Sequence, residues 1–523
     1  FIPLVHAENN QISSLKGDLG EETLDKFAPE VMEDLENQDI VEVLVYMRDQ
    51  VDTKMVSEAT RKAISGAMTP YNTKLTVRRG VVEALRDNAE ITQTRILNYL
   101  KQEEEKGNVL EYESFFIVNM IYVKANKDII ENMAYMPEVE KIYKNKVHTL
   151  DLPKKGEDVA PDIEGLEWNI EKIRAHEVWN GLGFDGTGAV VGSLDSGVDW
   201  THPALKEKWR GYNSATGETN AEGNWFDPVY NALLPADSDE HGTHTMGTMV
   251  GQEPDGGNKI GVAPGAKWIT ARVFNTAGST TDNILLSAAQ WMVAPGGNSD
   301  LAPDVVNNSW GGGSVMDDWY MESVDAWIAA EIVPVFSAGN QRQGEPAPWP
   351  GSIGNPANYP QSFAVAATDK NNLRASFSKL GPSPYDESLI KPEISAPGVG
   401  VRSSTPNGKY ASYSGTSMSA PAISGTVALI ASANSSLSVD EIEEAITENA
   451  MPLTDNTYPE APNFGYGHGL VDAFEAVSSI ASGTGRVEGR VLQDGEDLEV
   501  PVIVHEQEVF ETYAGTDIDI TAQ

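Results

Sequence analysis

The first third of the chain alternates between strand-like and helix-like patterns of apolar positions. The pattern predicts strands at residues 41–47, 115–123 and 139–143, and helices at residues 71–105 and 127–136. Apolar and polar positions alternate in the first strand, whereas apolar residues in the long helix recur among many charges until Gly107-Asn108 ends the run. This order of elements predicts a small α+β domain of ferredoxin-like type over residues 41–150.

Between residues 168 and 482 the pattern changes to short apolar runs that alternate with helical segments. Residues 189–194, 332–336 and 363–367 are predicted strands, and residues 420–433 are a predicted helix of small side chains suited to close burial. Continuous apolar strands separated by helices are typical of an α/β domain with a central parallel sheet.

Four further segments differ in composition from these two domains. Residues 1–7 end in a Val-x-Ala pattern typical of a signal-peptide remnant, with an ordinary chain terminus as the alternative. Residues 8–40 are an acidic leader, and residues 151–167 combine proline, glycine and charges without apolar periodicity, which predicts an exposed linker. Residues 483–523 are predicted to begin an accessory β region. The pattern at residues 1–7 predicts a secreted, extracellular protein.

The composition excludes several classes of function. The 78 acidic residues against 37 basic residues give a formal net charge of -41, which repels a phosphate backbone, so nucleic acid is not an expected partner. The absence of cysteine excludes disulfides, thiolate catalysis and cysteine-ligated zinc. No apolar run reaches the length of a bilayer-spanning helix.

Three segments place a reactive side chain where a strand ends or a helix begins. Asp195 ends an apolar strand before a glycine turn, at the sheet edge where open α/β sheets place their sites. His241 opens a run of small residues that predicts a helix start, where a neutral imidazole can accept a hydroxyl proton. Ser417 precedes Pro421, a proline expected in the first turn of a helix whose dipole favours developing negative charge.

Each segment taken alone has a plainer interpretation. Asp195 can be a turn or capping residue, and Ser417 can be a helix N-cap. His241 and His244 can be structural histidines, or a pair of metal ligands, although no HExxH motif is present. His244 is interpreted here as structural. The combination of the three segments, in the order Asp, His, Ser, favours nucleophilic catalysis.

These motifs closely resemble the active-site motifs of the subtilisin-like serine peptidases, and the resemblance extends over about residues 168–480. It is also carried by three other strings, namely Asn307–Gly313 (NNSWGGG), Gly381–Glu387 (GPSPYDE) and Gly465–Val471 (GYGHGLV). The resemblance implies a subtilisin-like catalytic domain with a central parallel sheet, preceded by a small ferredoxin-like α+β prodomain. It also implies hydrolysis of protein and peptide substrates, with Ser417 as nucleophile, His241 as base and Asp195 as orienting carboxylate.

The resemblance assigns further residues to the substrate cleft. Asn340 is implied as the oxyanion donor beside the backbone amide of Ser417, a role for which an amide held by a glycine turn is well suited. A plain turn asparagine is the alternative. The implied walls of the first specificity pocket are Ser309, Trp310, Gly311, Ser337, Ala338 and Gly339. Backbone pairing with an extended substrate, implied for the first three, tolerates many sequences.

Residues 41–150 resemble the inhibitory prodomain of the same family, whose carboxyl end lies in the active-site cleft. The chain is therefore expected to be made as a self-processing zymogen, cut at a site within the 151–167 linker, with its own prodomain as an intramolecular inhibitor.

The resemblance leaves metal binding undecided. The chemistry requires no cofactor, and a structural calcium ion is an open expectation because Ala204 stands where many relatives carry a calcium-binding aspartate. The acidic loop Asp237-Ser238-Asp239-Glu240 offers oxygen ligands elsewhere, with a solvated charge run as the alternative. Two other functional classes stay open as alternatives, namely an inactive scaffold with the same fold and a metal-dependent hydrolase using His241 and His244.

Overall fold

The structure is a computed structural model that describes residues 21–150, 153–158 and 165–481, together with four short strand segments beyond them. Those segments are Arg486–Val487, Val491–Gln493, Glu496–Leu498 and Val502–Ile503; the first pairs with the last and the second with the third. The predicted signal remnant at residues 1–7, residues 8–20 of the acidic leader and the rest of the accessory β region lie outside the described residues.

The secondary structure in chain order falls into two parts. The first part contains helices α1 (Glu21–Leu24), α2 (Pro29–Asn37), α3 (Thr53–Ala63), α4 (Pro70–Glu105) and α5 (Lys127–Ala134), and strands β1 (Ile40–Met47), β2 (Val109–Phe115), β3 (Met120–Asn126), β4 (Val139–Lys144), β5 (Val147–Thr149) and β6 (Lys154–Asp158).

The second part begins after residue 165. Its helices are α6 (Trp168–Lys172), α7 (Ala175–Glu177), α8 (His241–Val250), α9 (Asp282–Val293), α10 (Met321–Ala329), α11 (Thr416–Ala433), α12 (Val439–Glu448) and α13 (Ala473–Ile480). Its strands are β7 (Val190–Asp195), β8 (Trp225–Phe226), β9 (Lys267–Arg272), β10 (Ser279–Thr281), β11 (Val305–Asn308), β12 (Val333–Ser337), β13 (Phe363–Thr368), β14 (Ile394–Pro397), β15 (Val401–Thr405) and β16 (Lys409–Ser414).

An antiparallel four-stranded sheet in the order β2-β3-β1-β4 organises the first part. With its helices it has the β-α-β-β-α-β order of a ferredoxin-like unit. Successive side chains of β1 point to opposite faces: Val43 and Val45 pack with Ile96 of α4, whereas Leu44 belongs to a second apolar cluster with Leu285 of α9. The sheet therefore packs its second face against the part of the chain that carries α9 and α10.

Three predicted segments of the first part differ from the structure. Residues 115–123 are not one strand, because the segment between β2 and β3 is a turn in which Asn119 accepts and donates hydrogen bonds. The leader is partly structured, since α2 packs Val31 and Leu35 into the core of the four-stranded sheet; with only two buried leucine or valine side chains, this helix leaves a weak pattern. The segment expected to be an exposed linker contains β6, which pairs with β16.

A seven-stranded parallel sheet in the order β14-β13-β12-β11-β7-β9-β8 forms the centre of the second part. Its strands are buried along nearly their whole length, as in sheets covered on both faces by helices. The predicted α/β class with a central parallel sheet is confirmed. Helix α11 packs against β11–β14 and against α8, and its Ala, Gly and Ser residues permit this close approach.

Three of the parallel strands end at residues that matter for the site. Strand β7 ends at Asp195, β11 at Asn308 and β12 at Ser337. Because parallel strands place their carboxyl ends at one edge of the sheet, the residues that follow them come together there. Within the part of the chain that the structure describes, no helix combines the length and apolar character needed to cross a membrane.

Candidate active site

Asp195 and His241 are in direct contact at this edge. His241 opens α8, and its Nδ1 lies 2.7 Å from Asp195 Oδ1. The Asp195 carboxylate also accepts hydrogen bonds from the Ser196 amide (2.7 Å) and the Thr245 hydroxyl (3.2 Å). Since these donors fix the carboxylate, the imidazole is held with Nδ1 toward Asp195, which leaves Nε2 for proton transfer.

The electrostatics of His241 result from two opposing effects. Burial disfavours the imidazolium ion, but the charge and hydrogen bond of Asp195, together with the charges of Asp239 and Asp237, outweigh burial and raise the pKa of His241 above its ordinary value. His241 Nε2 is buried and has no hydrogen-bond partner among the described residues. The imidazole thus presents an unengaged nitrogen whose basicity is increased by the carboxylate behind it.

Asp237 positions the helix that carries His241. Its carboxylate accepts hydrogen bonds from the Ser196 hydroxyl (2.7 Å), the Glu240 amide (3.0 Å) and the Thr243 amide (2.8 Å). The two amides lie at the start of α8, where backbone N–H groups have no acceptor within the helix. Sequence reasoning placed Asp237 in a charge run; an aspartate shortly before a predicted helix start is the signal that could have identified the cap.

Ser417 is the second residue of α11, because that helix begins at Thr416 and not at residue 420 as the sequence predicted. Pro421 therefore lies inside the helix and not in its first turn. Ser417 is buried, and its hydroxyl donates to the Ser309 carbonyl at 3.1 Å. The structure shows no hydrogen bond between Ser417 and His241.

The position of Pro421 has a consequence for the backbone of Ser417. A proline has no N–H, so the carbonyl four residues earlier, that of Ser417, lacks its helical partner. The Ser309 hydroxyl donates to this carbonyl at 3.0 Å, and Ser309 in turn accepts from Asn307 Nδ2 at 2.9 Å. Ser424 donates to Asn307 Oδ1 at 3.1 Å. A buried chain of hydrogen bonds thereby fixes the first turn of α11.

Asn340 follows β12 through a glycine turn in which Gly339 has a φ of +96°. Its Oδ1 accepts hydrogen bonds from the Thr416 amide (2.8 Å) and the Thr416 hydroxyl (3.1 Å). An amide N–H can only donate, so Oδ1 faces Thr416 and Nδ2 is directed elsewhere. A Cβ placed on Gly415 would lie 3.6 Å from Asn340 Nδ2, which puts this donor close to the start of α11.

The predicted pocket residues lie on two neighbouring segments after β11 and β12. Ser309, Trp310 and Gly311 continue from β11, while Ala338 and Gly339 continue from Ser337 at the end of β12. The Trp310 ring is buried edge-on against Tyr320 (5.5 Å between centroids) and Phe336 (5.7 Å). These two aromatic side chains thereby hold the Trp310 ring in place.

His244 has the surroundings of a structural histidine. Its Nε2 donates to the Ala411 carbonyl at 3.1 Å, and its ring stacks on Tyr413 with 4.3 Å between centroids. Burial lowers the pKa of His244 to about 3, so the ring is neutral. No group of three or more His, Asp or Glu side chains suited to a metal ion exists in the described ranges.

Position 204 and the acidic loop at residues 237–240 are the two places where the sequence leaves calcium binding open. Ala204 is buried against Ile260 and Tyr410 and offers no side-chain oxygen. In the acidic loop, Asp237 caps α8 and Glu240 accepts from Lys155 at 2.9 Å. Position 204 therefore supplies no side-chain ligand for a cation.

Segments that follow the four-stranded sheet line this edge of the second part. Strand β5 pairs antiparallel with β10, and the amide of Leu150 donates to the Gly278 carbonyl at 2.8 Å. Farther along the chain, Lys154 in β6 is opposite Ser414 in β16. A Cβ on Gly415 would lie 3.5 Å from Pro153 Cβ. The chain on both sides of residues 151–152 therefore lies beside the segments that carry Asn340 and Ser417.

Comparisons with known proteins agree with the geometry. The model of the subtilase family matches residues 186–469. The chain is 49% identical over 481 residues to bacillopeptidase F of Bacillus subtilis (strain 168), an alignment that covers 90% of this chain and 33% of that protein. It is 33% identical over 307 residues to subtilisin DY of Bacillus licheniformis, covering 59% of this chain and 97% of that protein. An alkaline protease of Alkalihalobacillus alcalophilus is 27% identical over 419 residues, covering 80% of this chain and 95% of the relative. The chain thus spans a third of the length of bacillopeptidase F.

Proposed function

The chain belongs to the subtilase family of serine peptidases, and from this premise we propose that it is a secreted endopeptidase made as a self-processing zymogen, with Ser417 as its nucleophile. The observation that carries the proposal is the contact between Asp195 and His241, which leaves His241 Nε2 without a partner among the described residues. His241 opens α8, and α8 packs against α11, the helix that contains Ser417.

In the proposed mechanism, the Ser417 hydroxyl leaves the Ser309 carbonyl and donates its proton to His241 Nε2 as Oγ attacks the peptide carbonyl carbon. Asp195 keeps the imidazole oriented and stabilises the imidazolium that forms. The imidazolium then gives its proton to the leaving amine, which produces an acyl-enzyme on Ser417. Water, deprotonated by His241, attacks the ester carbonyl, and the imidazolium returns that proton to Ser417 Oγ as the acid product leaves. All of these steps use groups of this chain and require no cofactor.

The proposed oxyanion site consists of Asn340 Nδ2 and the backbone amide of Ser417. That amide is among the first four of α11, which have no helical acceptor. The contact of Asn340 Oδ1 with Thr416 orients Nδ2 before any substrate binds. Donors that need no reorganisation stabilise a developing negative charge most effectively.

The zymogen part of the proposal is supported by the contacts between the two parts of the chain. Arg78 of α4 is buried and donates to the carbonyls of Ala330 (2.8 Å), Ala302 (3.3 Å) and Glu331 (3.3 Å). The same interface contains ion pairs between Arg61 and Glu331, between Lys74 and Asp304 and between Arg79 and Asp300. A domain held in this way, with its tail beside the nucleophile, would exclude protein substrates until it is cut and degraded. The extracellular location is proposed from the pattern at residues 1–7.

A serine-directed test separates the proposal from its alternatives. The matured chain is treated with a fluorescent fluorophosphonate, and peptide hydrolysis is followed before and after labelling and after addition of a chelator. The expected result is one label on Ser417, complete loss of hydrolysis on labelling and no loss with the chelator. Ser417→Ala should abolish labelling, hydrolysis and self-cleavage, whereas the matched variant Ser432→Ala should be labelled normally.

Absence of labelling with hydrolysis that chelators stop would favour a metal-dependent hydrolase. Absence of both labelling and hydrolysis in a folded, processed chain would favour an inactive scaffold.

A further inference from the structure

The tail of the four-stranded unit binds the catalytic part in the manner of an extended peptide. In β5, His148 lies opposite Thr280 of β10 in an antiparallel ladder. The ladder extends at both ends, since the Asp282 amide donates to the Lys146 carbonyl (3.1 Å) and the Leu150 amide donates to the Gly278 carbonyl (2.8 Å). Backbone pairing of this kind fixes the direction and the register of a bound peptide while alternate side chains point into pockets.

The side chain of His148, in this tail, enters a pocket formed by Asp282 and Trp319. His148 Nε2 lies 2.5 Å from Asp282 Oδ1, and its ring stacks on the Trp319 indole with 5.3 Å between centroids and 19° between planes. The pocket continues into a cavity of about 90 Å³ that is lined also by Trp310 and Val315. The His148 side chain is 23% exposed, so these groups enclose most of it.

Asp282 is placed to discriminate between side chains. It is 2% exposed, and its Oδ2 accepts the backbone amide of Lys146 at 2.8 Å, a contact that any substrate except a proline at that position would make. Among the described residues, the partner of its Oδ1 is the side chain of His148. An apolar side chain there would leave a buried carboxylate oxygen unpaired, and an acidic one would repel it.

Resting on the proposed function, we propose that Asp282 and Trp319 form a specificity pocket that selects substrates with a planar, cationic side chain, histidine or arginine, at the position His148 occupies. The indole face accepts the flat imidazolium or guanidinium by stacking, and the carboxylate accepts its N–H. A lysine ammonium carries the charge but is not planar and cannot stack on the indole, so substrates with lysine at this position should be cleaved less efficiently.

The test is a cleavage-specificity profile, measured on the protein after the full chain has processed itself. A synthetic peptide library of random sequence is digested, and the products are sequenced by mass spectrometry and aligned on the cleaved bonds. The expected result is an enrichment of His and Arg over Leu, Ala and Glu, roughly tenfold to a hundredfold as for a lost charged hydrogen bond, at one fixed position on the N-terminal side of the bond. Asp282→Ala should abolish that enrichment, and Trp319→Leu should reduce it while other positions keep their profile.

Asp300→Ala is the matched control, because Asp300 is also an aspartate in an ion pair, but with Arg79 outside the cleft. It should leave the profile unchanged. Cleavage of the library without His and Arg enrichment, or with enrichment that survives Asp282→Ala, would overturn the pocket while leaving the peptidase assignment intact. A library that the unaltered, processed chain does not cut at all would instead overturn the proposed function.

Discussion

Ser309 and Ser417 exchange hydrogen bonds: the Ser309 hydroxyl donates to the Ser417 carbonyl at 3.0 Å, and the Ser417 hydroxyl donates to the Ser309 carbonyl at 3.1 Å. The first bond exists because Pro421 removes the helical partner of that carbonyl. Ser309 therefore has a positioning role in addition to its place on the pocket wall. The backbone of the proposed nucleophile is held by a side chain from a neighbouring strand end.

We expect Ser309→Ala to lower kcat roughly tenfold and to change KM little, because a buried carbonyl left without a donor allows the first turn of α11 to shift. Steady-state kinetics on a peptide substrate measure this. Ser424→Ala is the control, since Ser424 donates to Asn307 Oδ1 in the same network without touching Ser417. Equal losses of thermal stability in the two variants, with kcat unchanged in both, would contradict the positioning role.

Asn340→Ala should lower kcat by about 10²- to 10³-fold with KM nearly unchanged, because Nδ2 is engaged chiefly when charge develops on the carbonyl oxygen. That magnitude was established on a subtilisin and is transferred here as an expectation. Asn340→Asp retains the acceptor for Thr416 and replaces the donor by a charge, so it should be at least as impaired. A normal kcat in Asn340→Ala would remove this residue from the oxyanion site.

The sequence predicted the elements of the site better than the contacts between them. Asp195, His241 and Ser417 were identifiable as candidates because each stands in a short string of small residues whose spacing is visible in the chain. The roles of Asp237 and Ser309 were not, because each depends on groups far away in sequence: Asp237 on the Ser196 hydroxyl and Ser309 on the freed Ser417 carbonyl.

The same reasoning explains the errors in the fold prediction. The start of α11 was placed too late because Pro421 was taken as a first-turn residue, whereas Ser309 supplies the donor that the proline lacks. Strand β6 has charged residues and a glycine, and it forms because β16 offers a free edge for pairing. Long-range partners of this kind leave no periodic signal in a single sequence.

Asp195→Asn should move the acid limb of the kcat/KM profile to lower pH. The imidazole acts as a base only when neutral, so activity rises with pH through the pKa of His241, which Asp195 holds above its ordinary value. Removing that charge lowers the pKa and shifts the limb down, while the maximal rate falls by about 10⁴-fold, as expected when the carboxylate no longer fixes the tautomer.

Asp239→Asn is the control for this profile. Asp239 also raises the pKa of His241, but through its charge alone and by less than Asp195 does. In Asp239→Asn, the acid limb of the kcat/KM profile should shift slightly to lower pH, and the maximal rate should stay nearly normal. A limb that stays in place in Asp195→Asn would show that another group controls the acid side of the profile.

Arg78→Met in the full chain should shorten the delay between self-cleavage and the appearance of activity. Arg78 is buried at the interface and satisfies backbone carbonyls of the catalytic part, including Ala330 and Ala302, which methionine can cover but not bind. One hydrogen bond made by a charged group contributes roughly 1.5–3 kcal/mol, so the four-stranded unit, once cut, should dissociate about tenfold to a hundredfold more readily. Gel electrophoresis follows the cut and peptide hydrolysis follows the activity in the same sample.

Arg95→Met is the matched control, because Arg95 pairs with Glu138 inside the four-stranded unit and should leave the delay unchanged. If Arg78→Met is processed normally and shows the same delay as Arg95→Met, the contacts of α4 do not control dissociation of the four-stranded unit. The contacts of β5 and β6 would then account for inhibition.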